Sequence, residues 1–111
     1  MKSFEPSSAF IQKVSELIIK KLEEENLSIQ SIAEEMGISS RTLQLRLKRE
    51  GKSFTYIVQE ARESLAEKYL LNNYPVDEIS YILGFSEPSV FRRAFKKWTG
   101  VTPKEFRKKH I

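Results

Sequence analysis

The feature of this sequence that most constrains its fold is an internal repeat. Residues 28–51 and 75–100 each carry apolar residues at helical spacing, then a step containing glycine and serine, then a second apolar set at helical spacing. Two short helices joined by a turn of about three or four residues that contains glycine are typical of the helix-turn-helix. The two steps are Met36-Gly37-Ile38-Ser39 and Leu83-Gly84-Phe85-Ser86. We therefore predict two helix-turn-helix units in series.

Each residue type in the step has a structural use. Glycine permits the positive φ that the turn requires, Ile38 or Phe85 fills the angle between the helices, and the serine is predicted to cap the second helix. The two copies align with a gap of one residue after the serine. The matching apolar positions are Ile29, Ile32, Leu43 and Leu47 in the first copy and Val76, Ile79, Phe91 and Phe95 in the second.

Helical periodicity dominates the whole chain, without a period-two strand pattern, so the fold class is predicted to be all-α. Capping residues such as Ser28 and Ser39, and glycines such as Gly37, indicate seven helices. They form two helix-turn-helix subdomains joined by a long linker helix with a buried apolar face. The predicted parts are a flexible N-terminus (1–8), the first subdomain (9–51), the linker helix (52–73) and the second subdomain (74–111).

The linker helix has a length that suits DNA. A helix of some 20 residues at about 1.5 Å each spans roughly 30 Å. Successive major grooves on one side of B-DNA lie about 34 Å apart. The two second helices are therefore expected to be able to enter adjacent major grooves.

Composition excludes several classes of site. The chain has no cysteine, and its one histidine, His110, lies next to the C-terminus. Scattered carboxylates such as Glu34, Glu35 and Asp77 fit helix surfaces, so we expect no catalytic residue, no metal ligand, no cofactor and no enzyme. No apolar run approaches the roughly 18 residues of a membrane span, and no signal peptide is visible. A cytoplasmic protein without membrane contact is expected.

The basic charge is regional. Residues 1–36 contain four Lys or Arg against seven Asp or Glu, whereas residues 37–111 contain 15 against eight. Residues 92–109 contain eight basic residues and one acid, Glu105. This distribution favours a polyanionic partner for the C-terminal part.

The second helix of each unit is predicted to present a polar, mostly basic face opposite its apolar residues. Arginine pairs with guanine, glutamine with adenine, and a leucine can touch a thymine methyl, whereas lysines suit phosphates. The first face comprises Arg41, Gln44, Leu45 and Lys48, with Ser40 near the tip. The second comprises Ser89, Arg92, Arg93 and Lys96, with Glu87 and Pro88 at the tip.

Other interpretations of these residues stay open. A basic cluster such as that of residues 92–97 is often only a solvated face, and Leu45 fits a buried contact as well as a base contact. Arg62 suits a phosphate, a pair with Glu63, or a neighbouring helix. The C-terminal cations either reach the DNA backbone or fray; they are Lys104, Arg107, Lys108 and Lys109. The same helical surfaces would also serve a protein-interaction module that binds an acidic partner.

Over residues 9–108 the sequence resembles the AraC/XylS family of bacterial transcription regulators. The strongest match begins at Asp77-Glu78-Ile79 and continues through Leu83-Gly84-Phe85-Ser86-Glu87-Pro88-Ser89 and Phe91-Arg92-Arg93-Ala94-Phe95-Lys96-Lys97-Trp98. It ends with Thr99-Gly100-Val101-Thr102-Pro103 and Phe106-Arg107. The first unit resembles the family's more variable, target-determining half, and departs from it at Leu45, where related proteins often carry arginine.

The resemblance implies a seven-helix, homeodomain-like domain that binds double-stranded promoter DNA and touches RNA polymerase. It also implies an effector-binding or dimerisation domain N-terminal to this one, and we expect the chain to be either a C-terminal fragment or a small stand-alone member.

Overall fold

The computed structural model describes residues 8–110. Within this range the chain forms seven α-helices and no strand, which confirms the all-α prediction. The predicted flexible segment lies outside the described residues except for Ser8, which caps the first helix. The helices are α1 (Ala9–Glu23), α2 (Ile29–Met36), α3 (Ser40–Arg49), α4 (Phe54–Leu71), α5 (Val76–Ile82), α6 (Pro88–Thr99) and α7 (Pro103–Lys109).

Serine side chains fix the starts of three helices, and the caps predicted at Ser28 and Ser39 are confirmed. The hydroxyls of Ser28, Ser39 and Ser53 each accept a hydrogen bond from the backbone N–H three residues later. These bonds satisfy donors that the first turn of a helix otherwise leaves unpaired. Gly37, at φ 71°, ends α2 in the left-handed conformation that its sequence position predicts.

The predicted cap of the sixth helix is wrong. Ser86 does not cap α6; the N-cap is Glu87, and its side chain makes no capping hydrogen bond. The reason is Pro88, which occupies the first helical position and forces the preceding residue into an extended conformation. Glu87 accordingly has φ −146° and ψ 148°, and the helix begins one residue later than the serine would place it.

The linker helix α4 is the shared element of the molecule. It packs against α1 on one side and against α5, α6 and α7 on the other, while α2 packs with α1 and α3. Its apolar face is buried as predicted, with Ile57, Ala61 and Leu65 between 1% and 5% exposed. The whole forms a slab of 41 × 40 × 20 Å.

Polar side chains of α4 and α7 tie the linker helix to its neighbours. Arg62 Nε donates to the carbonyl of Leu83 at 3.0 Å, so the neighbouring-helix alternative holds for Arg62 rather than a pair with Glu63. Arg107 Nε donates to the carbonyl of Leu70 at 2.9 Å and a second nitrogen donates to the carbonyl of Tyr74. Arg107 is therefore part of the scaffold.

Two further features of residues 8–110 bear on function. No helix in this range is both long enough and apolar enough to cross a bilayer. The same residues contain no group of three or more His, Cys, Asp or Glu side chains placed to hold a metal ion.

Candidate nucleic-acid interface

The helix α3 has one buried side and one exposed side. Leu43 and Leu47 are 0% and 1% exposed and pack into the core of the first unit. The predicted face lies opposite, because residues three and four apart share one side of a helix. Its exposed members are Arg41, Gln44, Leu45 and Lys48.

Leu45 stands out on this face because it is apolar and 48% exposed. It is not buried against a neighbouring helix of the chain, which was the alternative to a base contact. A large exposed aliphatic group between polar neighbours is available to touch an apolar group on a partner, such as a thymine methyl.

The helix α6 repeats the arrangement. Phe91 and Phe95 are fully buried, and their rings lie 5.9 Å apart between centroids. The ring of Phe85, from the preceding turn, lies 5.6 Å from that of Phe91 and 6.1 Å from that of Trp98 between centroids. Aromatic contacts therefore hold α6 against this turn. The opposite side carries Ser89, Arg92, Arg93 and Lys96, all exposed.

The two faces share one spacing, with members at the first, fourth, fifth and eighth positions of a stripe. In both units the stripe lies on the second helix of the helix-turn-helix. That placement is the one through which such units reach base edges in the major groove.

The N-terminal tips of the two helices differ. Ser40 is half-buried and begins α3, whose N-terminus Ser39 caps through a 3.0 Å bond from the Thr42 N–H. At the other tip Glu87 is exposed and Pro88, which has no N–H, is half-buried. At the first tip the Thr42 N–H is thus satisfied by the cap, and the second tip places a carboxylate at the helix start.

One cation of the faces is already paired. The guanidinium of Arg92 donates to the carboxylate of Asp77 on α5 at 3.1 Å, with both side chains more than half exposed. Within residues 8–110, Arg41, Lys48 and Arg93 form no ion pair. Sequence reasoning assigned Asp77 only to a helix surface, and the pair is visible only once α5 and α6 are packed together.

One cationic position beside the first face, Lys52, was not predicted from the sequence. Lys52 lies between Gly51 and the Ser53 cap, with its ammonium 5.0 Å from the ring centre of Tyr56. Lys48 and Lys52 line the same shallow depression at the junction of α3 and α4. A basic residue next to a helix start was the only signal in the sequence.

The C-terminal cations lie within a helix, so the structure does not support the alternative that they fray. The helix α7 extends through Lys109, and Thr102 and Glu105 form a capping box at its start. Lys108 and Lys109 line an open depression with Lys96 of the second face. Lys104 is also exposed.

Comparison with known proteins gives a consistent result. A family model described as a helix-turn-helix domain matches residues 32–109. The transcriptional regulator VqsM of Pseudomonas aeruginosa is 41% identical over 93 residues, 83% of this chain and 29% of its own. The transcriptional activator AggR of Escherichia coli is 39% identical over 100 residues, 89% of this chain and 37% of its own.

A solved structure shows the same fold. A DNA-binding transcriptional dual regulator from Escherichia coli K-12 superposes with a TM-score of 0.82 at 21% identity, covering 98% of this chain and 96% of that one. The chain spans only about a third of the length of the two curated relatives.

Proposed function

Because this chain belongs to the AraC/XylS family of helix-turn-helix transcription regulators, we propose that it binds double-stranded promoter DNA with α3 and α6 in two adjacent major grooves. The observation that carries the proposal is the matched pair of exposed stripes on these two helices. The slab is 41 Å long, which suffices for two contacts about 34 Å apart.

The proposed roles of the stripe residues follow from their chemistry. Arg41 and Arg93 are suited to guanine and Gln44 to adenine, because each offers donors or a donor–acceptor pair that matches those base edges. Leu45 suits a thymine methyl. Lys48 and Lys96 are assigned to phosphates, which supply affinity but little sequence choice.

The second face is proposed to contact both phosphates and base edges. It carries Arg92 and Arg93, and Ser89 suits either a base edge or a phosphate. Glu87 and Pro88 approach the DNA at the tip, where a carboxylate can accept from a cytosine amino group. The first face is proposed to determine what is distinctive in the target.

At the level of the whole protein, we propose a transcription regulator, not an enzyme, that works in the cytoplasm and contacts RNA polymerase. The division into residues 9–51, 52–73 and 74–111 is proposed to be functional, with one groove for each subdomain. An effector-binding or dimerisation domain is proposed to precede this chain in the full-length protein, as the length of its relatives suggests.

Selection of bound duplexes from a random library tests this proposal. The expected result is a recovered motif with two boxes about one DNA turn apart. The matched control is the Arg41→Ala/Arg93→Ala double variant, which is expected to recover a weaker motif with the preference relaxed at one base pair in each box. If the unaltered protein enriches no sequence, a helical module for an acidic partner protein becomes the better account.

A further inference from the structure

The relative position of α3 and α6, the two recognition helices, depends on α4. The principal packing of the first unit on α4 is through α1, and that of the second is through α5, α6 and α7. Any change in how the second unit sits on α4 therefore changes the separation of α3 and α6.

The space between the two units is thinly packed. A cleft of about 320 Å³ lies between the loop after α1, the start of α4, and Phe85 and Trp98 of the second unit. A second cleft of about 350 Å³ lies beside it, between Lys21 and Glu25 of the first unit and Tyr81 of the second. Among their lining residues, the two clefts share Leu27 and Arg62.

Arg62 joins the middle of α4 to the turn of the second unit. Its Nε donates to the carbonyl of Leu83, the residue that ends α5, at 3.0 Å. Its guanidinium carbon lies 5.2 Å from the ring centre of Phe85, within the range of a cation–π contact. The Arg62 side chain therefore contacts the residues on both sides of Gly84, in the turn of the second helix-turn-helix unit.

The setting of Arg62 is costly for a cation. The side chain is half-buried, and burial lowers its pKa below the ordinary value. Within residues 8–110 no carboxylate forms an ion pair with it. A fork-shaped guanidinium can nevertheless meet a carbonyl and a ring at once, which a lysine ammonium does not do as well.

Resting on the proposed function, we propose that Arg62 is a positioning residue that sets the spacing of the two recognition helices and so makes the protein selective for the distance between its two DNA boxes. With open space on both sides, Arg62 is the polar contact that holds the turn of the second unit against the middle of α4, whereas Arg107 bonds α7 to the C-terminal end of α4. Its loss leaves each unit folded and able to read its own box, but removes the fixed spacing.

The test uses duplexes that carry the two boxes selected by the unaltered protein, with zero, one or two base pairs inserted between them. Each added base pair rotates the boxes by about 34° and separates them further. The unaltered chain is expected to lose about tenfold or more in affinity on one insertion, because the second helix loses its base contacts.

Arg62→Gln is expected to bind the original duplex several-fold more weakly than the unaltered chain does. On one insertion, the affinity of Arg62→Gln is expected to fall by a further factor of less than about three. Its affinity for duplexes with only one intact box is expected to equal that of the unaltered chain, which a general loss of structure would not permit. Lys68→Gln is the matched control: it removes one cation from an exposed position on the same helix and is expected to keep the full insertion penalty. Arg62→Lys is expected to fall between the two.

The inference is overturned if Arg62→Gln keeps the insertion penalty of the unaltered chain, or weakens all duplexes equally, including those with one box. If Arg62→Gln does not fold, as judged by circular dichroism, Arg62→Lys carries the same test, and an unchanged penalty in that variant overturns the inference. Failure of the proposed function looks different, because the unaltered chain then selects no pair of boxes.

Discussion

The arginines of the two recognition faces, on α3 and α6, differ in whether they form an ion pair within the protein. The guanidinium of Arg92 is tethered to Asp77, whereas Arg41 and Arg93 form no ion pair within residues 8–110. A tethered side chain has less conformational freedom left to lose on binding. Arg92 is therefore partly oriented in advance, whereas the proposed DNA contacts of Arg41 and Arg93 have to order those side chains on binding.

Arg41→Ala is expected to weaken binding to the selected duplex by about 1–3 kcal/mol and to relax the preference at one base pair, because a bidentate base contact is lost. Binding measurements on duplexes altered one base pair at a time provide the check. Arg49→Ala is the control for charge: it also removes an exposed arginine from α3, from outside the stripe. An equal loss on every duplex, scrambled ones included, would instead assign Arg41 to a phosphate.

Asp77→Asn is expected to raise affinity for scrambled DNA severalfold and to lower the ratio of specific to non-specific binding. The substitution removes a negative charge beside the phosphates and frees the guanidinium of Arg92. Glu78→Gln is the matched control, since it removes an exposed acid from the same helix without freeing a partner. An unchanged ratio in Asp77→Asn, or the same change in the control, would show that the pair does not orient Arg92.

The role of a residue could be predicted from the sequence where its contacts lie close along the chain. The stripe of α3 follows from helical spacing alone, so Arg41 and Lys48 could be placed on an exposed face from sequence. The partners of Arg62 and Arg92 could not, since Leu83 lies 21 positions from Arg62 and Asp77 lies 15 from Arg92. Such contacts depend on how helices pack, which a spacing pattern does not contain.

Among the helices, the contact of α1 with α4 includes a buried hydroxyl that responds to pH. Tyr69 of α4 is 8% exposed and its hydroxyl donates to Glu23 of α1 at 2.5 Å. Burial, followed by the bond to the Glu23 carboxylate, raises the pKa of Tyr69 to about 12. The folded protein therefore keeps this proton at a pH where an unfolded chain, with a tyrosine pKa of about 10, releases it.

Tyr69→Phe is expected to lower the free energy of unfolding by about 1 kcal/mol near neutral pH. Because the folded-state pKa is raised, the contribution of the hydroxyl is complete below about pH 10 and is lost between about pH 10 and 12. The difference between the unaltered chain and the variant should therefore shrink across that window in urea titrations.

Tyr81→Phe is the control for this titration, since Tyr81 is 56% exposed. It should leave the free energy of unfolding nearly unchanged. A Tyr69→Phe difference that stayed constant from pH 8 to 11 would contradict the assigned role of the Glu23 contact.

The helices themselves were predictable where capping is local. Ser28, Ser39 and Gly37 set their helix ends through their own side-chain or backbone chemistry, and the structure confirms them. Ser86 failed as a cap because Pro88, two residues later, fixes the conformation of Glu87. Competition between two local signals, rather than tertiary packing, caused that error.

At the scale of the whole molecule, shape and charge act together. The chain has a net charge of +4, and its basic excess lies in residues 37–111, which contain both recognition helices. A flat body presenting two cationic helices suits a long, uniformly charged partner.

Affinity for DNA is accordingly expected to fall by about a thousandfold or more between 50 and 200 mM salt, if six or more phosphates are neutralised. Fluorescence anisotropy with a labelled duplex across this range measures the slope. Lys48→Ala and Lys96→Ala should each reduce the slope by about one ion without changing the preferred sequence. A complex insensitive to salt would contradict the assignment of these lysines to phosphates.

The central claim is that one molecule places two helices in adjacent major grooves, and hydroxyl-radical footprinting on the selected duplex tests it most directly. Two protected patches are expected on the same face of the DNA, about 10 to 10.5 base pairs apart from centre to centre, at one protein molecule per duplex. A single protected patch, or two patches on opposite faces, would contradict it.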